Sequence, residues 1–279
     1  MNRKLVFFDL DGTVWDWKGI IPDSTKEAIL KLKANGHIPI ICTGRARGHI
    51  YYECLEQIGF PGIVAACGAH VEYEGKILYE NYLPQDMVRD IVNRSVECRV
   101  PIVLEGAMKH WVSPRGFERD SFVDRMVDEM GDRIIYFDGF TEDMEVNKFA
   151  GDVLSGSDYE AFKDGLVENL FWIEHDNGWE TLQYDGDDKN LVIGVFEGLP
   201  IGDSKANGIR IMCEYLGVDP KDTYGFGDSK NDMDMIEYVG TGIAMGDGAE
   251  ALKNVADYVT TPLWENGIYN ALIHFGLIS

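Results

Sequence analysis

Leu5-Val6-Phe7-Phe8-Asp9-Leu10-Asp11-Gly12-Thr13, near the start of the 279-residue chain, decides how the rest is read. Four apolar residues in a row suit a strand buried on both faces, and the strand reads from Leu5 to Leu10. It runs directly into two aspartates, a glycine and a threonine. Alternation along extended chain would put Asp9 and Asp11 on one side. Acidic and hydroxyl groups at that end matter because ligands of open parallel sheets gather beyond the carboxyl ends of the strands.

Outward from this stretch, short apolar runs alternate with amphipathic ones. Ser24 can cap a helix running to Asn35, with Gly36 as its stop. His37 to Thr43 reads as a second buried strand, Arg47 to Ile58 as a helix closed by Gly59, and Ile63 to Cys67 as a third strand. A hairpin follows, Val71 to Tyr73 and Lys76 to Tyr82, around Glu74-Gly75. From Pro84 the rhythm changes to α+β with antiparallel pieces. Helices are expected over Asp86 to Glu97, Phe117 to Glu129 and Tyr159 to Glu168. Strands are expected over Pro101 to Glu105, Lys109 to Val112, Val146 to Val153 and Phe171 to Glu174, with Glu180 to Tyr184 across an Asp176-Asn177-Gly178 turn.

After Gly202 the α/β rhythm returns. Ser204 to Leu216 is a helix, Thr223 to Phe226 a strand and Lys230 to Val239 a helix. Gly242 to Met245 and Tyr258 to Thr260 are strands, with helices over Ala249 to Val255 and Asn266 to Phe275. The expected architecture is α/β: a doubly wound, Rossmann-like parallel sheet built from residues 1–83 and 199–279, carrying an inserted α+β domain at 84–198.

A formal charge of −23 argues against nucleic acid and anionic membrane as partners, because Lys and Arg form no local patch. Five cysteines at wide spacing, without a C-x-x-C pair, fit free thiols in a reducing compartment. No secretory leader and no membrane-spanning run is legible, so the expected location is cytoplasmic.

Three clusters fall at strand ends: Asp9 to Thr13, Thr43-Gly44-Arg45, and Gly227-Asp228. Lys205 opens a helix nearby. Each alone is explained by ordinary capping, but their joint placement on one sheet edge is not. Neighbouring carboxylates repel unless a cation offsets them, and an all-oxygen donor set favours Mg²⁺. One Asp can attack phosphorus while a second handles the proton, with a hydroxyl and an ammonium on the phosphate oxygens.

The same residues carry a family resemblance. Asp9-Leu10-Asp11-Gly12-Thr13 resembles the D-x-D-G-T signature of the haloacid dehalogenase (HAD) superfamily. Thr43, Lys205 and Gly227-Asp228-Ser229-Lys230-Asn231-Asp232 resemble its later motifs in order, the last in the G-D-x-x-N-D form of the Cof-like subgroup with a type IIB cap. The resemblance covers the whole chain. It implies Asp9 as nucleophile and Asp11 as general acid/base. It further implies Thr43, Gly44, Lys205 and Asn231 as phosphate-binding, and Asp9, Asp228 and the Asp11 carbonyl as Mg²⁺ ligands. Asp232 would orient this set from behind, and Arg45 would lie near the substrate. The subgroup's usual Asn is replaced by Cys67, Asp247 stands where Asn is usual, and Lys205 is followed by Ala206-Asn207-Gly208 rather than directly by Gly.

The resulting expectation is a Mg²⁺-dependent phosphohydrolase of a small phosphorylated metabolite, monomeric or homodimeric. A phosphotransferase or phosphomutase using the same intermediate, and a non-catalytic phosphate-binding protein, are the rivals. Trp15 and Trp17 either form a flap over substrate or pack locally. Trp111, Trp172 and Trp179 read as core or sheet-face residues. His110 and His175 stand in no ligand spacing and receive no role.

Overall fold

The computed structural model describes residues 3–50, 55, 56, 58–113, 121–175 and 192–279, the side chains of 121–125 and 175 excepted. The chain divides into two compact units. One comprises Met1–Arg45, Ile50–Glu80 and Asp203–Ser279, the other Ala46–His49 and Asn81–Gly202.

The first unit is built on an eight-stranded sheet. Its strands are β1 (Leu5–Phe8), β2 (Ile38–Cys42), β3 (Gly62–Ala65), β4 (His70–Tyr73), β5 (Lys76–Glu80), β12 (Thr223–Gly227), β13 (Thr241–Ala244) and β14 (Tyr258–Val259). Their order is β14-β13-β12-β1-β2-β3-β4-β5. The six from β14 to β3 run parallel, and β4 and β5 extend the edge as the antiparallel hairpin expected from Glu74-Gly75. Both residues of that turn have positive φ, 49° and 76°. β1 lies between β2 and β12, so its four residues are buried on both faces. Val6 and Phe8 join one core cluster and Leu5 and Phe7 another, the alternation that a two-sided parallel strand requires. Burying each such side chain contributes about 1.5–3 kcal/mol.

Helices α1 (Asp23–Ala34) and α7 (Gly267–His274) feed the first of these clusters, and α5 (Lys205–Leu216) and α6 (Met233–Tyr238) the second. Ser24 is not the cap of the first helix. Pro22 holds that position, fixing the entry backbone without a side-chain hydrogen bond. Ser204, by contrast, caps α5, its Oγ accepting from the Asn207 N–H at 3.1 Å.

The second unit has a six-stranded sheet ordered β10-β11-β9-β6-β7-β8. These are β6 (Ile102–Glu105), β7 (His110–Val112), β8 (Ile134–Tyr136), β9 (Lys148–Leu154), β10 (Leu170–His175) and β11 (Val192–Pro200). Pairing is antiparallel except between β7 and β8. Helices α2 (Gln85–Glu97), α3 (Ser121–Met130) and α4 (Tyr159–Lys163) accompany it. Trp111 belongs to its core, and the partly buried Trp172 packs against that core, stacked on Phe196 at 5.0 Å. β8 and β11 were not expected from the sequence.

The helix expected over Arg47 to Ile58 begins instead as a short 3₁₀ turn, Arg47–His49, and most of its remainder lies outside the described residues. Residues 117–120, the Asp176-Asn177-Gly178 turn, Trp179 and the strand at 180–184 also lie outside them. Among the described residues no helix is long and apolar enough to cross a membrane.

Candidate active site

β1 ends at Phe8, two residues before the expected stop. Asp9 still pairs through its N–H with the Phe226 carbonyl of β12 at 2.9 Å, but the chain then turns sharply. The N–H groups of Thr13, Val14 and Trp15 all converge on the Leu10 carbonyl. Gly12 makes this turn possible. Its φ is +80°, and a side chain there would run into the Asp228 carboxylate. The sequence therefore brings Asp9, Asp11 and Asp228 together through a tight loop, not through strand alternation alone.

Lys205 is 1% exposed and its ammonium lies between two carboxylates. Nζ donates to Asp9 Oδ1 at 2.7 Å and to Asp232 Oδ1 at 2.5 Å. The other Asp232 oxygen accepts from the backbone N–H groups of Asp228 and Ser229, both at 3.0 Å. Thr13 Oγ1 donates to Asp228 Oδ1 at 3.2 Å. Oxygens of Asp9, Asp228 and Asp232 all lie within 4.8 Å of one another.

Asp11 faces different partners. Arg45 grips it with two donors, Nε to Oδ2 and Nη2 to Oδ1, each at 2.7 Å. The Trp15 indole N–H adds a third bond at 3.0 Å. Trp15 is fully buried and stacks against the Arg45 guanidinium at 5.2 Å, so it is not a flap over substrate. Trp17 is exposed.

The electrostatics separate these carboxylates. Burial pushes the Asp9 carboxyl well above its usual range, and Asp232 adds to this more than Lys205 removes. Burial and Asp232 likewise raise Asp228 to about 7. For Asp11 burial also acts upward, but the hydrogen bonds and charge of Arg45 outweigh it and hold this carboxyl below its ordinary value. Burial disfavours the Lys205 ammonium, yet Asp232 and Asp9 together raise its pKa well above normal.

Thr43 closes β2, its Oγ1 accepting from the Arg45 N–H at 3.2 Å. Gly44 is flanked by the Asn231 amide and the Cys67 sulfur, each 3.5 Å from where a Cβ would stand. Cys67 has φ 51°, a left-handed backbone that Asn adopts more readily than Cys. Asp247 Oδ1 accepts from the Leu263 N–H at 3.3 Å, a local loop contact that an Asn oxygen would also make. Two positioning residues escaped sequence reasoning. Trp15 braces Asp11, and Asp234 Oδ2 accepts from the Ala206 N–H at 2.9 Å, fixing the start of the helix that carries Lys205.

The model of haloacid dehalogenase-like hydrolases matches residues 6–272. The chain belongs to that family. HAD relatives agree with it over essentially full length. YkrA of Bacillus subtilis, provisionally named a phosphatase, is 34% identical over 281 residues, with all of both chains covered. A hypothetical protein from Geobacillus kaustophilus HTA426 superposes with TM-score 0.82 at 31% identity, covering 99% of this chain and 100% of that one. The HAD subclass IIB sugar phosphatase BT4131 gives TM-score 0.78 at 25% identity, again over 99% and 100%. The Cof-like resemblance read from the motifs is borne out, and the chain is an enzyme of the HAD phosphatase group.

Proposed function

We propose that this HAD enzyme hydrolyses small phosphomonoesters, sugar phosphates among them, through an aspartyl-phosphate on Asp9. The observation that carries this is the contact of Lys205 with Asp9. It keeps one oxygen of a buried carboxylate neutralised in place at the edge of the sheet where Asp228 and Thr43 also end. A binding module has no need of a buried carboxylate whose ionisation is this costly.

In the first step an Asp9 oxygen attacks phosphorus and the ester P–O bond breaks. The departing alkoxide takes its proton from Asp11. In the second step Asp11, now a carboxylate, removes a proton from water, whose oxygen attacks phosphorus and restores Asp9 with release of phosphate. Lys205, Thr43 and Asn231, with the backbone at Gly44, hold the transferring oxygens. Arg45 keeps Asp11 ionised at rest, which suits the second step. For the first, the incoming phosphate dianion draws Arg45 away and Asp11 takes up a proton from solvent. The inserted domain, residues 84–198, selects the leaving group.

The donor set fits a hard cation. Asp9 and Asp228 offer oxygen alone, and their raised pKa values mark negative charge that Lys205 does not fully balance. We assign Asp9, Asp228 and the Asp11 carbonyl as Mg²⁺ ligands, with Asp232 orienting them. Mg²⁺ there would supply charge stabilisation to an in-line displacement.

This assignment has a pH signature. An Asp in the unfolded chain titrates near 3.9. With Asp228 raised to about 7 in the folded, metal-free protein, stability present below the unfolded value is lost as pH rises toward 7. Mg²⁺ binds the ionised form and removes that loss. The rise in melting temperature on adding Mg²⁺ should thus be larger at pH 8 than at pH 5. An equal or larger rise at pH 5 would contradict the ligand assignment.

Turnover against a panel of phosphomonoesters in Mg²⁺, with p-nitrophenyl phosphate included, tests the function. One free phosphate per ester consumed is the expected result. Phosphoryl passing to a sugar hydroxyl without free phosphate would favour a transferase, and binding without turnover would overturn the enzyme reading.

A further inference from the structure

The second unit holds a cluster that the phosphohydrolase chemistry does not use. Glu105 and His110 are direct cross-strand partners at the closed end of the β6–β7 hairpin, where the Gly106 N–H donates to the Lys109 carbonyl at 3.0 Å. His49 comes from the 3₁₀ turn Arg47–His49, which belongs to the same unit. All three side chains are buried, at 6%, 0% and 2% exposure respectively. One donor atom from each can be chosen so that all lie within 4.8 Å of one another.

The turn is held in place by specific contacts. Arg133 Nη1 donates to the Gly48 carbonyl at 2.8 Å. Gly48 itself lies so close to the hairpin that a Cβ would stand 3.0 Å from the Gly106 oxygen and 3.2 Å from His110 Cε1. The His49 and His110 rings meet edge to face, 5.9 Å between centroids.

His110 is the anomaly. Fully buried, it has no hydrogen-bond partner at either Nδ1 or Nε2. Its Nε2 faces Glu105 Oε2 at 3.8 Å, beyond hydrogen-bond range. The Lys109 backbone pulls its proton affinity up without meeting hydrogen-bond geometry at the ring. Burial prevails, and the pKa falls to about 4. A neutral imidazole in that position leaves a buried donor and a buried acceptor unsatisfied, which native interiors rarely tolerate.

We propose that His49, Glu105 and His110 form a second metal site, taking a divalent transition-metal ion of the Zn²⁺ class that clamps the 46–49 turn to the hairpin. Two imidazoles and one carboxylate are a borderline donor set, suited to Zn²⁺ and unsuited to Mg²⁺. Tetrahedral bonds of about 2.1 Å would bring the donors to roughly 3.4 Å apart, a closure of at most about 1.4 Å. Lys148 does not displace the ion. Its ammonium is bound to Glu197 at 2.5 Å and lies 3.7 Å from the other Glu105 oxygen, Oε1, where it orients the ligating carboxylate.

Titration of the chelator-treated full-length protein with Co²⁺, in excess Mg²⁺, tests this. One equivalent should give the intense visible bands of four-coordinate Co²⁺, which Zn²⁺ then bleaches. An all-oxygen aspartate site gives only weak bands, and Asp228→Asn should leave the intense spectrum unchanged. His110→Ala and His49→Ala should abolish it and weaken Zn²⁺ binding by about 100-fold or more. Glu105→Gln, which keeps the shape, should weaken binding as well. Phosphate release in Mg²⁺ reports whether each variant is folded, since none of the three residues belongs to the hydrolytic site. The proposal is overturned if the wild type binds Co²⁺ only weakly, or if a folded His110→Ala variant keeps the spectrum.

Discussion

Asp9→Asn should abolish phosphate release while leaving the protein at least as stable as the wild type in the absence of metal. An amide cannot form the aspartyl-phosphate, and loss of a nucleophile costs about 10⁴- to 10⁶-fold in kcat. The stability half of the prediction comes from the same geometry. Burial and the neighbouring Asp232 and Asp228 carboxylates all disfavour ionised Asp9. A neutral isostere relieves that repulsion, and its Oδ1 can still accept from Lys205 at the position now 2.7 Å away. Loss of activity together with unfolding is therefore not the expected pattern. Steady-state release from p-nitrophenyl phosphate, paired with thermal melts in EDTA, reads both halves. Wild-type turnover by Asp9→Asn would sink the mechanism. A large drop in its metal-free melting temperature would show that Asp9 is held ionised by more than Lys205.

The fold was legible wherever burial was uniform along the chain. β1, β2 and β3 are continuous apolar runs, and their flanking helices carry a one-sided pattern that a parallel sheet demands. Failures came where the pattern was set by a neighbour. β11 contains Gly194 and Gly198, which depress any strand reading. Yet Gly198 is where the Phe149 ring packs, and Gly151 of β9 similarly admits Phe196. Those glycines make room for aromatic rings that arrive from other strands. The turn at Ala46–His49 was unreadable for a related reason, since its grouping with the second unit depends on residues some 60 to 85 positions further on, such as Gly106, His110 and Arg133.

Within the candidate site, residue types at strand ends were visible, but their partners were not. Lys205 lies 196 positions from Asp9, and only the β12-β1-β2 order of the sheet makes their contact possible. The Arg45 grip on Asp11 had no sequence signal, because it depends on the Leu10-centred turn and on Trp15 folding under it. Asp234 sits in the first turn of its own helix, yet the N–H it accepts from opens the helix that carries Lys205, a contact no local pattern encodes. His110 drew no role because its ligand partners are a cross-strand glutamate and a histidine 61 positions earlier, a spacing no linear motif encodes.

Lys205→Met should strongly destabilise the first unit. The side chain has almost no exposure, so Met fits the space, but Asp9 and Asp232 are then left buried without their cation. Removing one partner of a buried ion pair costs about 3–5 kcal/mol, or roughly 10 °C in melting temperature for a domain of this size. The loss should depend on pH in a defined direction. Without Lys205, which now pulls it down, the folded-state pKa of Asp9 rises further above its unfolded value near 3.9. Stability present at low pH is then lost as pH rises, so the deficit against wild type should shrink at pH 5 and widen at pH 8. Adding Asp232→Asn to Lys205→Met removes one of the stranded charges and should restore part of the melting temperature, whereas Asp232→Asn alone should lower it. That non-additivity is the signature of a shared ion cluster. If the two changes simply add, Lys205 stabilises the unit through packing and not through the charge it carries.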